Sequence, residues 1–187
     1  GSDLVIETES HGGLVVIGSH VSKTTAQFEL IKDMDNTFFL EVDPVLINQP
    51  TQLEQTVVSI IDKANQLLQK GINVVVYTSR RLYKMDGDVD NMRISAKVSE
   101  CLVDIVRGID VKPRYIIVKG GITSSDIGTK GLGVRKAMVA GQILPGVPVW
   151  LTGPEVRFPD VPYVIFPGNV GGTDALRQVM TKLNNRI

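Results

Sequence analysis

The stretch VKGGITSSDIGTKGLG, residues 118–133, completes the apolar run Tyr115-Ile116-Ile117-Val118 and then becomes rich in glycine and hydroxyl groups. It holds five glycines and five Ser, Thr or Asp residues. A β-branched run that opens into Gly-Gly and a hydroxyl cluster is typical of a strand whose end brings backbone close to another group. Three interpretations are open from this stretch alone: a phosphate site, a metal site, or a tight turn.

Similar apolar runs precede it, each followed by a helical pattern. Strands are predicted over Leu14–Ile17, Thr37–Val42, Ile72–Tyr77 and Tyr115–Val118, and helices over 22–32, from Pro50 or Thr51 to Gly71, and about 94–107. The strands show no polar alternation, which is typical of a parallel sheet covered on both faces. We therefore expect an α/β fold with three layers, in which helices cover both faces of a mostly parallel sheet.

The last third of the chain is different because glycine and proline interrupt it repeatedly. Short strands fit over Val147–Leu151 and Tyr163–Phe166, and a closing helix over Asp174–Leu183. This part is predicted to be Gly/Pro-rich and mixed. The whole of 3–187 is expected to be one domain, with Gly1-Ser2 an expression scar and the chain an excised piece of a longer protein.

Composition excludes several classes of partner. The chain has 20 Lys plus Arg and 20 Asp plus Glu, and this zero net charge argues against nucleic acid or an acidic membrane surface. No apolar run approaches the roughly 20 residues of a membrane helix. The single cysteine, Cys101, is predicted to be a buried core thiol, and its isolation fits the reducing cytoplasm.

In an open α/β sheet, ligands bind beyond the carboxyl ends of the strands. Those ends carry Gly18-Ser19-His20, Asp43, Thr78-Ser79-Arg80, Gly120–Thr123 and Pro167–Gly172. Glycine lets backbone N–H groups approach an anion, so this set indicates a nucleotide or phosphate site. Strand-to-helix turns contain glycine anyway, and that simpler explanation stays open. Arg80 is either a surface charge or a group that faces a phosphate.

The standard phosphate and metal motifs are incomplete. No Gly-x-x-x-x-Gly-Lys-Ser/Thr occurs, and Gly131-Leu132-Gly133 lacks a third glycine. The stretch DGDVDN, residues 86–91, starts like a calcium loop, but Asn91 and Lys97 stand at its sixth and twelfth positions, so a solvated acidic loop is predicted. His20 has no partners spaced for a hydrolase triad or a zinc site.

Three longer stretches carry a resemblance to a known family. VVIGSHVSKTTAQ (15–27), GGITSSDIGTKGLGVRKAMVAGQILPGVPVW (120–150) and LTGPEVRFPDVPYVIFPGNVGGTDAL (151–176) resemble the C-terminal nucleotide-binding domain of the four-carbon acid sugar kinases. That family was long filed as a domain of unknown function. The resemblance runs from about Leu14 to the C-terminus and is densest over 120–176.

The resemblance implies half of a two-domain ATP-dependent kinase that acts on tetronates such as 3-oxo-tetronate or erythronate. The N-terminal domain would hold the sugar acid and the catalytic carboxylate, and this chain would hold ATP, as its Mg²⁺ complex. Its ATP-binding residues would be Ser19, Gly120, Gly121, Ile122, Thr123, Gly168, Asn169 and Gly171. No catalytic residue is expected in this chain, and its metal ligands and a possible homodimer stay open.

Within that set, backbone N–H groups of the glycines are expected to cradle phosphate, and the Ser19 and Thr123 hydroxyls to donate to it. At Gly121 we expect a conformation, or a closeness to ligand, that a side chain would obstruct. Two departures from the family pattern are Ile122, where many members have Asp or Glu, and Val21, where many have Ser. They motivate a second hypothesis beside the kinase, in which the chain is a non-catalytic regulatory or interaction module that retains the fold.

Overall fold

The computed structural model describes residues 11–80 and 87–185, with only the backbone described at Asp88. Within these residues seven strands form one sheet: β1 Leu14–Ile17, β2 Thr37–Val42, β3 Asn73–Thr78, β4 Ile116–Lys119, β5 Ala137–Leu144, β6 Val147–Thr152 and β7 Pro162–Phe166. The α-helices are α1 Ser22–Glu29, α2 Pro50–Gln69, α3 Asp88–Gly108, α4 Gly121–Asp126 and α5 Ala175–Asn184. A 3₁₀ turn spans Pro44–Asn48, and a π-helical turn, Ile127–Gly131, continues α4.

The order of strands in the sheet is β2-β3-β1-β4-β7-β6-β5. The first five are parallel to their neighbours, so their carboxyl ends lie on one edge of the sheet. Strand β6 is antiparallel to β7, and β5 is antiparallel to β6. The mostly parallel sheet and the mixed C-terminal third are therefore confirmed.

Helices cover both faces of this sheet, as predicted. On one face, Phe28 of α1 and Val179 of α5 pack in a buried cluster with Val15 and Ile17 of β1. On the other face, residues of α2 and α3, such as Leu68 and Leu102, pack on the alternate positions of the same strands. The sequence of each inner strand is continuously apolar because successive side chains pack alternately against one helical layer and the other.

Cys101 lies on α3 and is buried, which confirms its prediction as a core thiol. Burial, with smaller contributions from Asp104 and Glu100, raises the pKa of this thiol above its ordinary value. A protonated buried thiol is a poor nucleophile. In the described parts of the chain, no helix is both long and apolar enough to cross a bilayer.

The largest differences from the sequence-based expectation concern two elements, and helix α1 also ends at Glu29, three residues earlier than predicted. Strand β5, Ala137–Leu144, was not predicted; it is an edge strand with mostly exposed side chains, and register shifts near Gly141 interrupt its alternation. Helix α3 begins at Asp88 rather than near Ile94. Its first turns are exposed, and their two apolar side chains, Val89 and Met92, face solvent, so this segment lacks the longer apolar periodicity by which a helix start could be recognised.

Candidate functional site

Three glycine turns lie side by side at the carboxyl edge of the sheet. They follow β1, β4 and β7, which are neighbours in the sheet although they are far apart in the chain. We call them the Ser19 turn (18–20), the Gly-Gly turn (120–123) and the Asn169 turn (167–172). Thr78-Ser79-Arg80 borders them through β3, whereas Asp43 follows β2 at the outer edge of the sheet and belongs to no shared site.

Backbone hydrogen bonds join the three turns to one another. The N–H groups of Gly18 and Ser19 both donate to the carbonyl of Lys119 at 3.2 Å. The N–H of Gly120 donates to the carbonyl of Phe166 at 2.9 Å. The expectation that the Gly120 N–H binds phosphate is therefore wrong, because this group is already used to hold the Gly-Gly turn against β7.

Gly120 and Gly121 have different reasons for being glycine. Gly120 has φ +122°, which other residues rarely adopt, and a Cβ there would lie 3.3 Å from the Cβ of Ser19. Gly121 has no such φ, and a Cβ on it would meet no atom within 4 Å. The expectation that Gly121 adopts a conformation closed to other residues is therefore wrong, and it is Gly120 that adopts one. Closeness to a ligand remains the prediction for Gly121, because the space beside it is open.

The carbonyl oxygens of the Asn169 turn are bound from behind by side chains of α1 and by the last residue of β4. The donor–acceptor pairs are Lys119 Nζ to Pro167 O at 2.7 Å, Thr24 Oγ1 to Gly168 O at 3.1 Å, Lys23 Nζ to Asn169 O at 3.2 Å, and Gln27 Nε2 to Val170 O at 3.1 Å and Gly172 O at 2.9 Å. Thr24, Gln27 and Lys119 are fully buried. These contacts fix the direction of most peptide groups in the turn.

A trans peptide group points its N–H opposite to its C=O. Because the carbonyls point toward α1 and Lys119, the N–H groups of Gly168, Asn169 and Gly171 point away from them. None of the three has an acceptor among the described residues. The N–H groups of Gly121, Ile122 and Thr123 also lack an acceptor there, since the first backbone bond of α4 is from Ser124 to Gly120. Two sets of free donors thus flank the Ser19 turn, an arrangement that can bind an anion.

Ser19 lies between these two sets. Its hydroxyl is 3.2 Å from the Thr24 hydroxyl, and its carbonyl accepts a 2.7 Å hydrogen bond from Arg80. The same guanidinium donates to the carbonyl and the hydroxyl of Thr78, at 3.1 and 2.8 Å. Arg80 is therefore bound to backbone and half-buried rather than a free surface charge. Thr123 packs against Gly18, since a Cβ added to Gly18 would lie 2.7 Å from the hydroxyl oxygen of Thr123.

The metal and triad interpretations gain no support from the geometry. Among residues 11–80 and 87–185, no group of three or more His, Cys, Asp or Glu side chains is placed to hold a metal ion. His20 lies 3.4 Å from the Thr78 hydroxyl, and burial and the nearby Arg80 lower its pKa. The prediction of an acidic loop over 86–91 is wrong for residues 88–91, because these residues form the first turn of α3. Asp86 lies outside the described residues.

Sequence reasoning missed Lys119. Its side chain is 0% exposed, its ammonium lies 3.8 Å from the centre of the Phe166 ring, and it forms no ion pair with a described residue. Burial, with a smaller contribution from Lys23, lowers its pKa to about 7. The available signal was a lysine that ends the apolar strand IIVK directly before Gly-Gly. Its burial could not be inferred from that position alone.

Open space surrounds the Gly-Gly turn. A cleft of about 250 Å³ lies in front of it, bounded by Ser19, Thr123 and Ser99 of α3. A groove of about 730 Å³ continues between α3 and α4, past Ile122. On the other side of α4, an apolar pocket of about 380 Å³ reaches from Gly121 to Trp150 of β6. The turn therefore has room beside it for a ligand larger than a phosphate ion.

Comparison with known proteins agrees with this geometry. The family model described as a nucleotide-binding C-terminal domain matches residues 14–176. No curated protein is significantly similar to the chain.

Solved structures share the fold. A Bordetella bronchiseptica protein described as a domain of unknown function, DUF1537, with bound citrate and as a domain-swapped dimer, was solved in two crystal forms. These match with TM-scores of 0.68 and 0.69 at 14% and 13% identity, over 94% of this chain. A Haemophilus influenzae protein of the DUF1537 family matches with a TM-score of 0.62 at 19% identity, over 92% of this chain. The chain spans about two-fifths of the length of these proteins, 40–42%. From the family match, the chain belongs to the family of nucleotide-binding C-terminal domains, as the resemblance to the four-carbon acid sugar kinases predicted.

Proposed function

We propose that this chain is the ATP-binding half of a kinase that phosphorylates four-carbon acid sugars. One observation carries the proposal: free N–H groups of the Gly-Gly turn and the Asn169 turn flank Ser19, while side chains behind the Asn169 turn bind its carbonyls. Donors fixed in this way need no rearrangement to bind a phosphate chain. The family match supports a nucleotide as the source of that phosphate.

In this proposal the phosphate contacts come from backbone rather than from side chains. Gly121, Ile122 and Thr123 supply one set of N–H donors, and Gly168, Asn169 and Gly171 supply the other. Ile122 fits this role although it lacks a polar side chain, because that side chain is 80% exposed and the residue contributes through its backbone N–H, which is one of the free donors of the Gly-Gly turn. Phosphoryl transfer depends mainly on positioning and charge stabilisation, which such a cradle provides. Mg²⁺ would arrive as the nucleotide complex.

The sugar acid and its catalytic base are assigned to the N-terminal domain of the same protein. Two observations support this division. The chain spans only about two-fifths of the neighbours' length, and the carboxylates near the strand ends are displaced or already engaged: Asp174, beside Gly172 of the Asn169 turn, accepts a 2.6 Å hydrogen bond from Gln178. Asp43 is at the outer edge of the sheet, and the Asp126 carboxylate is bound to Ser99 and Lys130. The isolated chain should therefore bind nucleotide weakly, because half of the cleft wall is missing and water is not excluded.

Equilibrium dialysis with labelled ADP tests the binding step, and a coupled assay for ADP release with a panel of tetronates tests turnover. We expect saturable ADP binding by the chain, no turnover by the chain alone, and substrate-dependent turnover once the N-terminal domain is present. Tetronate-dependent turnover by the chain alone would contradict the division of labour. Absence of ADP binding even with both domains present would contradict the nucleotide site and favour a non-catalytic module.

We also propose that the two-domain protein self-associates, because one structural neighbour is described as a domain-swapped dimer. Sedimentation equilibrium of the two-domain protein measures it directly, and a monomer at all concentrations would contradict it.

A further inference from the structure

Lys119 is a buried basic side chain without an anionic partner among the described residues. Its side chain is fully buried, and among the described residues its ammonium contacts only the Pro167 carbonyl at 2.7 Å, the Gly168 carbonyl at 3.4 Å and the face of the Phe166 ring. Buried charges in proteins are normally paired, because a lone charge away from water is costly. Its neighbours across the sheet are Ile17 and Phe166, which are uncharged.

The nearest element of the helical layer does not supply the missing charge. Helix α1 presents Lys23, Thr24 and Gln27 to the Asn169 turn, that is, one cation and two neutral groups. Lys23 repels a charge on Lys119 rather than compensating it. The protein itself therefore favours the neutral amine at this position.

The proposed phosphate cradle lies on the other side of the same turn. The Pro167 and Gly168 carbonyls point at Lys119, so the N–H groups of Gly168 and Asn169 point away from it and toward the proposed phosphate position. A phosphate held there would place negative charge one peptide layer from the ammonium, in a site of low dielectric where such an interaction is strong.

We propose that Lys119 is the counter-charge of the bound nucleotide, and that it takes up one proton from solvent when the nucleotide binds. The neutral amine becomes an ammonium, and the bond that forms is N–H, with no other covalent change. This inference rests on the proposed nucleotide site and makes Lys119 a positioning residue, since it would act on the phosphate through the Asn169 turn.

The direction in which the pKa of Lys119 is shifted agrees with this geometry. In the free protein burial lowers the pKa of Lys119 to about 7, so most of the amine is neutral at pH 8. A nearby anion favours the charged form and raises the pKa again. Nucleotide affinity should then fall about tenfold for each pH unit above 7, until the bound-state pKa is reached.

Isothermal titration calorimetry of ADP binding to the 187-residue chain tests the inference, at pH 8.0 in two buffers of different ionisation enthalpy. At this pH the nucleotide phosphates are already deprotonated, since a phosphate monoester has a second pKa of about 6. The buffer dependence of the heat gives the protons taken up. We expect about 0.9 proton per ADP for the wild type, from a free pKa of about 7.

Two variants complete the test. Lys119→Met keeps an apolar side chain of similar length and should bind ADP more weakly, with no proton uptake. Lys70→Met, which replaces an exposed lysine at the end of α2, should behave as the wild type. Circular dichroism shows whether each variant is folded, and the wild-type measurement decides by itself if Lys119→Met does not fold.

The outcomes separate the two proposals. Saturable ADP binding without proton uptake in the wild type, or equal uptake in Lys119→Met, would overturn the role of Lys119 and leave the nucleotide site intact. Absence of saturable ADP binding by the wild type, with or without the N-terminal domain, would overturn the proposed function and this inference together.

Discussion

A β-carbon added to Gly168 would lie 2.6 Å from the side-chain oxygen of Ser19. The Ser19 turn and the Asn169 turn can therefore touch because residue 168 has no side chain. This contact keeps the Ser19 hydroxyl beside Thr24 and close to the free N–H groups of the Asn169 turn. It also means that a change in either turn is transmitted to the other.

Gly168→Ala should displace the Ser19 side chain and reduce ADP affinity about tenfold, with a loss of about 1 kcal/mol in the free energy of unfolding. Ser19→Ala removes the atom that is nearest to the new methyl group. The cost of Gly168→Ala should therefore be smaller in the Ser19→Ala background, by at least 0.5 kcal/mol in a double-mutant cycle, which is about the lower limit for residues in contact. Urea unfolding and ADP titration measure the two quantities, and strictly additive effects would contradict the contact.

Gly121→Val should weaken ADP binding more than it weakens folding. The space beside Gly121 is empty, so the melting temperature should change little, while the new side chain occupies the position assigned to phosphate. Gly120→Val is the matched comparison, because φ +122° makes any side chain there strained, at a cost of about 1–3 kcal/mol. Equal losses of melting temperature and affinity at Gly121, or no loss of affinity, would favour a plain turn.

Thr24→Val should destabilise the protein by about 1–2 kcal/mol, because a buried hydroxyl that contacts the Gly168 carbonyl and the Ser19 hydroxyl is lost. The Asn169 turn would become less ordered, so ADP affinity should fall as well. Thr181→Val is the control, since its hydroxyl contacts a carbonyl within α5 and is exposed. A Thr24→Val variant as stable as Thr181→Val, with unchanged affinity, would show that the hydroxyl does not hold the turn.

The free energy of unfolding of the ligand-free protein should rise with pH because of Lys119. Its folded pKa of about 7 lies below its value of 10.5 in the unfolded chain, so the unfolded state binds more protons between these values. From pH 7.0 to 8.5 the rise should be about 1.5 kcal/mol by urea unfolding, and it should be absent in Lys119→Met. Since both proteins share every other titratable group, an identical pH dependence would show that Lys119 is not a perturbed buried amine.

Much of the fold could be predicted from local patterns. The runs at Leu14–Ile17 and Thr37–Val42 were found with their correct bounds because buried parallel strands are continuous apolar segments. The turns after β1, β4 and β7 could be found because they contain glycine, which lets the backbone of one turn lie close to a neighbouring turn. Strand β5 was missed because an exposed edge strand with irregular register lacks both signals.

The sequence by itself determined most of the strands and the positions of the glycine-rich turns and, through a family resemblance, predicted which of these turns would bind nucleotide. The tertiary structure decided which of those turns lie side by side, because the order of strands depends on how whole helices pack over the sheet. That order places β4 between β1 and β7. It also brings the Pro167 carbonyl, 48 residues along the chain, onto Lys119 and seals its amine from water. Burial of this kind is a property of neighbours that are distant in sequence, and no local pattern contains it.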